Sequence, residues 1–370
     1  MAFDLTEAQR SAREGYRALA AEHIEPFASQ WDRDQALPGE LFLSLGSRRL
    51  MAPTIPAAFG GIGMDMMNYG LFSEEVGRCC QSVRNLLGVQ GMVAHSLLRF
   101  GNPEQKSRWL PRIANGETVA AFALTEPSIG SDASNVTTAA TRTDSGYLLN
   151  GAKKWISFGM KADVFLVIAR APGGVSAFVV ERGTPGFSTA PIPDLLGLRA
   201  SMLGELTFAD CEIPAANRIG KEGIGFAWIA NTALDFGRYS TACGCVGLAQ
   251  ACLDASQSYS LERKQFGVAI REHQLVRRLL TNMKANTQAA RLLCYHAGTL
   301  RDQGSPEAIQ ATMLAKYFAS THVAQAATDA VQIHGAQGIG SNYPVQRYLR
   351  DSKVMEIIEG TTQIQQVFID

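Results

Sequence analysis

The sequence predicts an α+β fold in which a small antiparallel β-domain sits between two helical regions. Three observations support it: apolar residues recur at helical spacing over 1–120, short β-type runs fill 121–222, and helical spacing returns over 223–370.

In the first region Thr6 stands before Glu7 as a capped helix start, and Leu19, Ala20 and Ile24 continue the helical spacing. Pro38 opens a short helix whose Leu41 and Leu45 share a face. Ala57 to Gly63 reads as a loop and Met66 to Gly77 as a long helix. A further helix through Val89, Met92, Val93, Leu97 and Leu98 stops at Gly101-Asn102-Pro103. The runs Val119–Leu124, Tyr147–Leu149, Phe165–Ala169, Ser176–Val180, Gly186–Thr189 and Leu206–Phe208 read as strands, with Gly, Pro, Asp and Asn between them. Long helices are then expected from Phe226, Gln274, Ser305 and Tyr343.

Lys plus Arg and Asp plus Glu each number 34, so no global field draws in nucleic acid or a membrane surface. Any anionic ligand must be met by local basic residues. The opening segment, with Asp4 and Glu7 and no apolar run, does not read as a secretory signal, and no membrane span is expected. The seven cysteines include Cys79-Cys80 and Cys243-Gly244-Cys245, but no second pair stands at zinc spacing. No metal site is expected, and the thiols read as reduced packing residues of a cytoplasmic protein.

Five segments carry candidate chemistry. Phe122-Ala123-Leu124-Thr125-Glu126-Pro127-Ser128-Ile129-Gly130-Ser131 is a strand running into a Pro-led turn, where backbone N–H groups and a hydroxyl can meet a phosphate or a flat heterocycle. Trp155 and Ser157, flanking Ile156, are two apart on a strand and point to one face, an indole beside a hydroxyl. Arg263-Lys264-Gln265-Phe266, then Gln274, place a basic pair at a helix–loop junction that can neutralise a diphosphate. Gln332, Gly335 and Ala336 lie at a helix end where glycine lets backbone approach a ligand. Glu359 follows Ile357 and Ile358 and precedes Gly360, Thr361 and Gln363. Apolar neighbours desolvate its ionised form and raise its pKa towards the range of a general base. Taken singly, the turn segment, the basic pair and Glu359 read first as an ordinary turn, a solvated basic patch and a helix-end surface carboxylate, with a core tryptophan and a helix cap as the alternatives for the other two. Gly244 to Gly247 lies inside a helical pattern without a preceding strand, so a dinucleotide fingerprint is disfavoured.

In this order and at these separations, the five segments resemble the acyl-CoA dehydrogenase family over essentially the whole chain. The resemblance implies an N-terminal helical domain, a middle β-domain and a C-terminal four-helix bundle, assembled as a homo-oligomer, dimer or tetramer. It implies FAD as cofactor, lined by Phe122, Leu124, Thr125, Gly130, Ser131, Trp155, Ile156 and Ser157. Arg263, Lys264, Gln265 and Phe266 are expected to reach the FAD of a neighbouring subunit. Gln274, Gln332, Gly335, Ala336, Thr361 and Gln363 match further cofactor contacts. Ser131, Asp235, Arg238 and Gly360 match contacts to an acyl thioester. Glu359 takes the place of the base that removes the α-proton, while a hydride leaves the β-carbon for flavin N5. The Glu359 backbone N–H and a ribityl hydroxyl would polarise the thioester carbonyl, worth roughly 3–8 kcal/mol for the pair.

Three departures stand out: Ile358 where tyrosine is common, Ala336 where a second glycine is usual, and only eleven residues after Glu359, from which a shortened last helix is expected. Cys79 to Leu87, Gly304 to Glu307 followed by Ala311 to Lys316, and Met355 to Gly360 are similar to dehydrogenases of polyketide pathways, which act on small acyl groups tethered to acyl carrier protein. Within the class the rival is an acyl-CoA dehydrogenase of fatty or branched-chain catabolism. Outside it stand an oxygen-using flavin oxidase or monooxygenase and a cofactor-less scaffold. An electron-transferring flavoprotein is the expected acceptor. Arg84, Arg99, Arg108, Arg277 and Arg278 are candidates for a basic surface that docks an acidic carrier protein.

Overall fold

The computed structural model describes residues 4–369. Its first part is helical: α1 (Glu7–His23), α2 (Ala28–Asp34), α3 (Gly39–Ser47), α4 (Met66–Cys79), α5 (Gln81–Phe100) and α6 (Pro103–Ala114). Thr6 caps α1 and Asn102 caps α6, each within a reciprocal capping box completed by a glutamine in the first turn. α4 and α5 are buried on nearly every face, so they form the interior of the molecule rather than its coat.

The middle sheet holds β1 (Ala120–Ala123), β2 (Ala139–Arg142), β3 (Gly146–Ile156), β4 (Val164–Ala171), β5 (Gly174–Glu181), β6 (Phe187–Pro191), β7 (Gly204–Pro214) and β8 (Arg218–Ile219). The spatial order is β6-β7-β3-β2-β4-β5-β8, with β1 beside β4. Pairing is mainly antiparallel as expected, but β1 and β2 run parallel to β4. β3 and β7 extend well beyond their apolar centres Tyr147–Leu149 and Leu206–Phe208. A backbone ladder from Gly146↔Pro214 to Ile156↔Gly204, irregular between Leu149 and Gly151 and between Lys153 and Ile156, carries their polar ends. β2 and β8 are too short to show a period in sequence.

The remaining elements are α7 (Asn231–Glu262), a hairpin of β9 (Lys264–Gln265) and β10 (Val268–Ala269), α8 (Gln274–Asp302), α9 (Ala308–His334), α10 (Ala336–Ile339), α11 (Val345–Met355) and α12 (Thr362–Phe368). The helix expected from Phe226 opens as a single π-helical segment, Gly225–Ala230, before α7 proper. α7 packs against α8 and α9 on one side and α4 and α5 on the other, which joins the two helical regions. Its glycines permit that approach: a Cβ on Gly247 would stand 1.9 Å from the Glu74 carbonyl oxygen, and one on Gly244 would meet the Arg84 side chain at 2.8 Å. The Gly244–Gly247 run is therefore a helix-packing device. All seven cysteines are buried free thiols. Among the described residues no helix is long and apolar enough to cross a membrane.

One buried ion pair fixes the loop after β1. Lys153 Nζ, on β3, donates to the Leu124 carbonyl at 2.9 Å and to Glu126 at 2.8 Å. Glu126 also accepts from the Thr137 and Thr138 backbone N–H groups and from the Thr137 hydroxyl. These donors outweigh burial and hold Glu126 at about 2, while burial pulls Lys153 down to about 8 against the pull of its partner. Both values fall, for different reasons: the carboxylate has donors to spare, and the ammonium carries the desolvation. Sign follows from direction. The Glu126 contribution to stability is full above the ordinary carboxylate range and is lost as pH falls towards 2. Glu126→Ala strands the buried ammonium and should cost about 3–5 kcal/mol by equilibrium denaturation, with Glu126→Leu/Lys153→Met recovering most of it. Unchanged stability in Glu126→Ala would contradict the pair's role.

Candidate active site

Glu359 lies in the turn between α11 and α12. It takes a left-handed backbone, φ 57°, followed by Gly360 at φ 89°. For a residue with a side chain this conformation costs about 1–2 kcal/mol. Three side chains hold it in place. Arg238 Nε and Gln365 Nε2 each donate to the Glu359 carbonyl oxygen at 3.1 Å, and Lys316 Nζ donates to the Gly360 carbonyl oxygen at 2.7 Å.

The turn sets the Glu359 carboxylate directly on α7 at Gly237, where a Cβ would come within 2.5 Å of Oε2 and 2.8 Å of Oε1. Oε2 is buried without a hydrogen-bond partner. Burial pushes the carboxyl up to about 7, although Arg238, Arg84 and Lys316 pull it down. The group is thus poised to hold or release a proton near neutrality, as a general base must. The Glu359 N–H has no acceptor among the described residues, so it is available to a ligand carbonyl.

The expected flavin-lining residues lie on β1, in the loop after it and at the end of β3. Gln90 on α5 clamps β1 by donating to the Ala120 carbonyl and accepting from its N–H, both at 2.8 Å. Phe122 then packs against the apolar cluster around α7 and the cluster that includes β4. Leu124 is buried, and the Thr125 carbonyl accepts from the Lys154 N–H at 2.9 Å, which lays the loop along β3. Reciprocal bonds between Glu126 and Ile129 close the Pro127-Ser128 turn, beyond which Gly130 and Ser131 are exposed.

One expectation needs correction here. Trp155 and Ser157 are not two positions of a regular strand. The ladder is irregular between Lys153 and Ile156, Trp155 is left-handed at φ 61°, and Ser157 lies beyond the end of β3. The bulge turns the indole off the sheet, where it is 51% exposed, and Asn85 Nδ2 donates to Ser157 Oγ at 3.0 Å. Ile156 is buried in the core beneath, so a ligand could meet only its backbone.

The residues present fit FAD. A half-exposed indole, Phe122, the Thr125 and Ser157 hydroxyls and an unpartnered carboxylate oxygen give the apolar walls and few polar points that a flat tricyclic ring requires.

Arg263 ends α7, and Lys264, Gln265 and Phe266 form an outward hairpin rather than a plain helix–loop junction, with Phe266 94% exposed at its tip. Gln274, Gln332, Gly335, Ala336 and Gln363 are all exposed, at or beside the ends of α8, α9, α10 and α12. Thr361 caps α12. Asp235 is paired with Arg301 at 2.7 Å. Arg84 is not part of a docking surface: it is 2% exposed, between α5 and α7. Arg108 is bound to Glu181, and Arg277 to Glu272, whereas Arg99 and Arg278 are exposed.

Gly237, Lys316, Gln365 and Asn85 lie in recognised segments but received no role of their own from them, because each acts through a contact made only in three dimensions. In an ordinary helix interior Gly→Ala adds about 1 kcal/mol of stability. Gly237→Ala should therefore leave thermal unfolding unchanged or slightly raised, yet displace the carboxylate and lower turnover by about 100-fold. Full turnover in this variant would show that the Glu359–Gly237 contact does not set the geometry.

Residues 6–117, 121–211 and 223–369 match the N-terminal, middle and C-terminal domains of acyl-CoA dehydrogenases. The chain is 40% identical to an acyl-CoA dehydrogenase of Bacillus subtilis, over 99% of this chain and 97% of that protein. Its fold superposes on butyryl-CoA dehydrogenase from Megasphaera elsdenii with a TM-score of 0.95 and 34% identity, over 100% of this chain and 98% of that one. It also superposes on FkbI, for biosynthesis of the methoxymalonyl extender unit of the Fk520 polyketide, with a TM-score of 0.88 and 29% identity, over 96% and 97% of the two chains. The chain belongs to the acyl-CoA dehydrogenase family, the FAD-dependent oxidoreductases that act on acyl thioesters.

Proposed function

We propose that this enzyme dehydrogenates a small acyl thioester with Glu359 as the base, and that the acyl group is carried on acyl carrier protein for a polyketide extender unit. The buried, unpartnered Glu359 carboxylate on Gly237 is the observation that supports the chemistry. The similarity to FkbI, together with the local segments around Cys79–Leu87 and Met355–Gly360, supports the carrier. The relatives named as acyl-CoA dehydrogenases favour a second reading, a CoA thioester of fatty or branched-chain catabolism.

The chain's own residues account for proton handling and orientation. A substrate α-carbon beside Oε2 gives up its proton to a carboxylate that burial has made basic. The free Glu359 N–H is placed to donate to the thioester carbonyl and stabilise the developing enolate. Arg238, Lys316 and Gln365 hold this N–H and the carboxylate in one rigid turn. Bound FAD supplies the two-electron acceptor for the hydride from the β-carbon. Phe122, Leu124, Thr125, Gly130, Ser131, Trp155 and Ser157 would hold its ring system. The exposed Phe266 hairpin, with Arg263 and Lys264 beside it, suits a reach to a neighbouring subunit's FAD in a homo-oligomer. An electron-transferring flavoprotein would serve as the electron acceptor, and the free thiols suit a cytoplasmic setting.

Anaerobic reduction of the holoenzyme by matched acyl-carrier-protein and acyl-CoA substrates tests the carrier. Faster bleaching by the carrier-bound acyl group supports the proposal, and a strong preference for CoA ends it. Glu359→Gln should abolish bleaching by either, and full bleaching would remove Glu359 from this role. Because the free carboxyl stands near 7, kcat/KM should rise with pH through about 7 as the proton leaves. Loss of one cation in Arg238→Gln should move that limb upward.

A further inference from the structure

We propose that Asn85 is a positioning residue that fixes which way the Ser157 hydroxyl presents its proton, turning it outward to the flavin ring; this rests on the reading that Ser157 lines the FAD. Asn85 lies on α5 and is buried. Asparagine is a poor former of helix interiors, and a buried amide needs partners. Asn85 finds them outside its own helix: Nδ2 donates to Ser157 Oγ at 3.0 Å and to Ser201 Oγ at 3.2 Å. The amide N–H groups are thereby both used on hydroxyl oxygens.

Backbone bonds hold the two serines in place. Ser201 is fully buried, its N–H donates to the Leu198 carbonyl at 2.9 Å, and its own carbonyl accepts from the Phe158 N–H at 2.8 Å. Phe158 follows Ser157, so that last bond ties the end of β3 to the Leu198–Met202 turn. The turn is anchored in its own right, since the Leu198 N–H donates to Asp351 Oδ1 on α11 at 2.7 Å. Asn85 therefore bridges two hydroxyls whose main chains are fixed to each other.

A serine hydroxyl carries one proton and two lone pairs. At Ser157 the Asn85 amide occupies a lone pair, and no acceptor among the described residues takes the proton. Ser157 is part-exposed, two residues after the half-exposed Trp155 indole, whereas Ser201 is sealed in the interior. Only Ser157 can turn its proton to a ligand. An O–H held in that sense stabilises the electron density that a flavin ring gains on reduction, and it needs no reorientation at that moment. The reverse amide orientation, with Oδ1 against both hydroxyls, would draw the protons inward and present a lone pair to the ring, which has the opposite effect.

The sign of this effect is measurable without substrate. The reduced-to-oxidised ratio of enzyme-bound FAD is read against a reference dye for wild type, Ser157→Ala, Asn85→Leu and the double variant, with FAD content and thermal unfolding recorded on each. Ser157→Ala should lower the ratio about 10-fold, equivalent to about 30 mV for a two-electron couple. Asn85→Leu should lower it about 3-fold, because the released hydroxyl still donates part of the time, and should add nothing in the Ser157→Ala background. If Asn85→Leu fails to fold or to load FAD, the near-isosteric Asn85→Asp takes its place. Its carboxylate accepts the Ser157 proton, so it should lower the ratio more in the wild-type background than in Ser157→Ala. An unchanged or raised ratio in the flavin-loaded Asn85 variant, or an equal drop in both backgrounds, would overturn the positioning role. An unchanged ratio in Ser157→Ala would overturn the reading of Ser157 as flavin-lining and the inference with it. Neither result bears on Glu359 as the base.

Discussion

A carboxylate must be kept dry and unpaired yet remain able to ionise, and the surrounding structure is organised by that demand. Desolvation alone would leave Glu359 protonated and useless as a base. Arg238, Arg84 and Lys316 supply a compensating positive field without forming an ion pair with it, so the two effects meet near neutrality. The left-handed turn separates these duties. The carbonyls of Glu359 and Gly360 take the hydrogen bonds, and Oε2 stays free.

α7 links this demand to the fold. The helix carries a glycine wherever another part of the molecule must come close: Gly237 under the carboxylate, Gly244 against Arg84 and Gly247 against α4. Gly residues inside a helix cost roughly 1 kcal/mol each relative to alanine. Three in one helix make sense only if the contacts they permit return more than that through packing with α4, α5, α8 and α9. In the β-domain the Glu126–Lys153 pair and the Trp155 bulge shape a surface that regular strand geometry would not provide.

Much of this was legible in sequence because period and punctuation are local. Thr6, Asn102 and Gly101-Asn102-Pro103 mark true helix ends, and Glu359 between Ile358 and Gly360 announces a desolvated carboxylate at a turn. Ladders and long-range contacts were not legible. β2 is too short for alternation to register, β3 and β7 run past their apolar centres, and the bulge at Trp155 breaks the alternation that placed Ser157 beside it. Arg84 shows the limit most clearly. An arginine on an amphipathic helix reads as a solvated charge, and only the glycines opposite it on α7 reveal that the helix has no exposed face there.

The ionisation of Glu359 in the resting enzyme is the most direct test of the central claim. Infrared difference spectra of wild type minus Glu359→Gln isolate the carbonyl stretch of the protonated carboxyl, which can be followed as pH rises. A band that disappears with a midpoint near 7 is predicted from the buried site. Disappearance in the ordinary carboxylate range, about 4.3, would mean that water or a hidden partner reaches the carboxylate, and the base as described here would not exist.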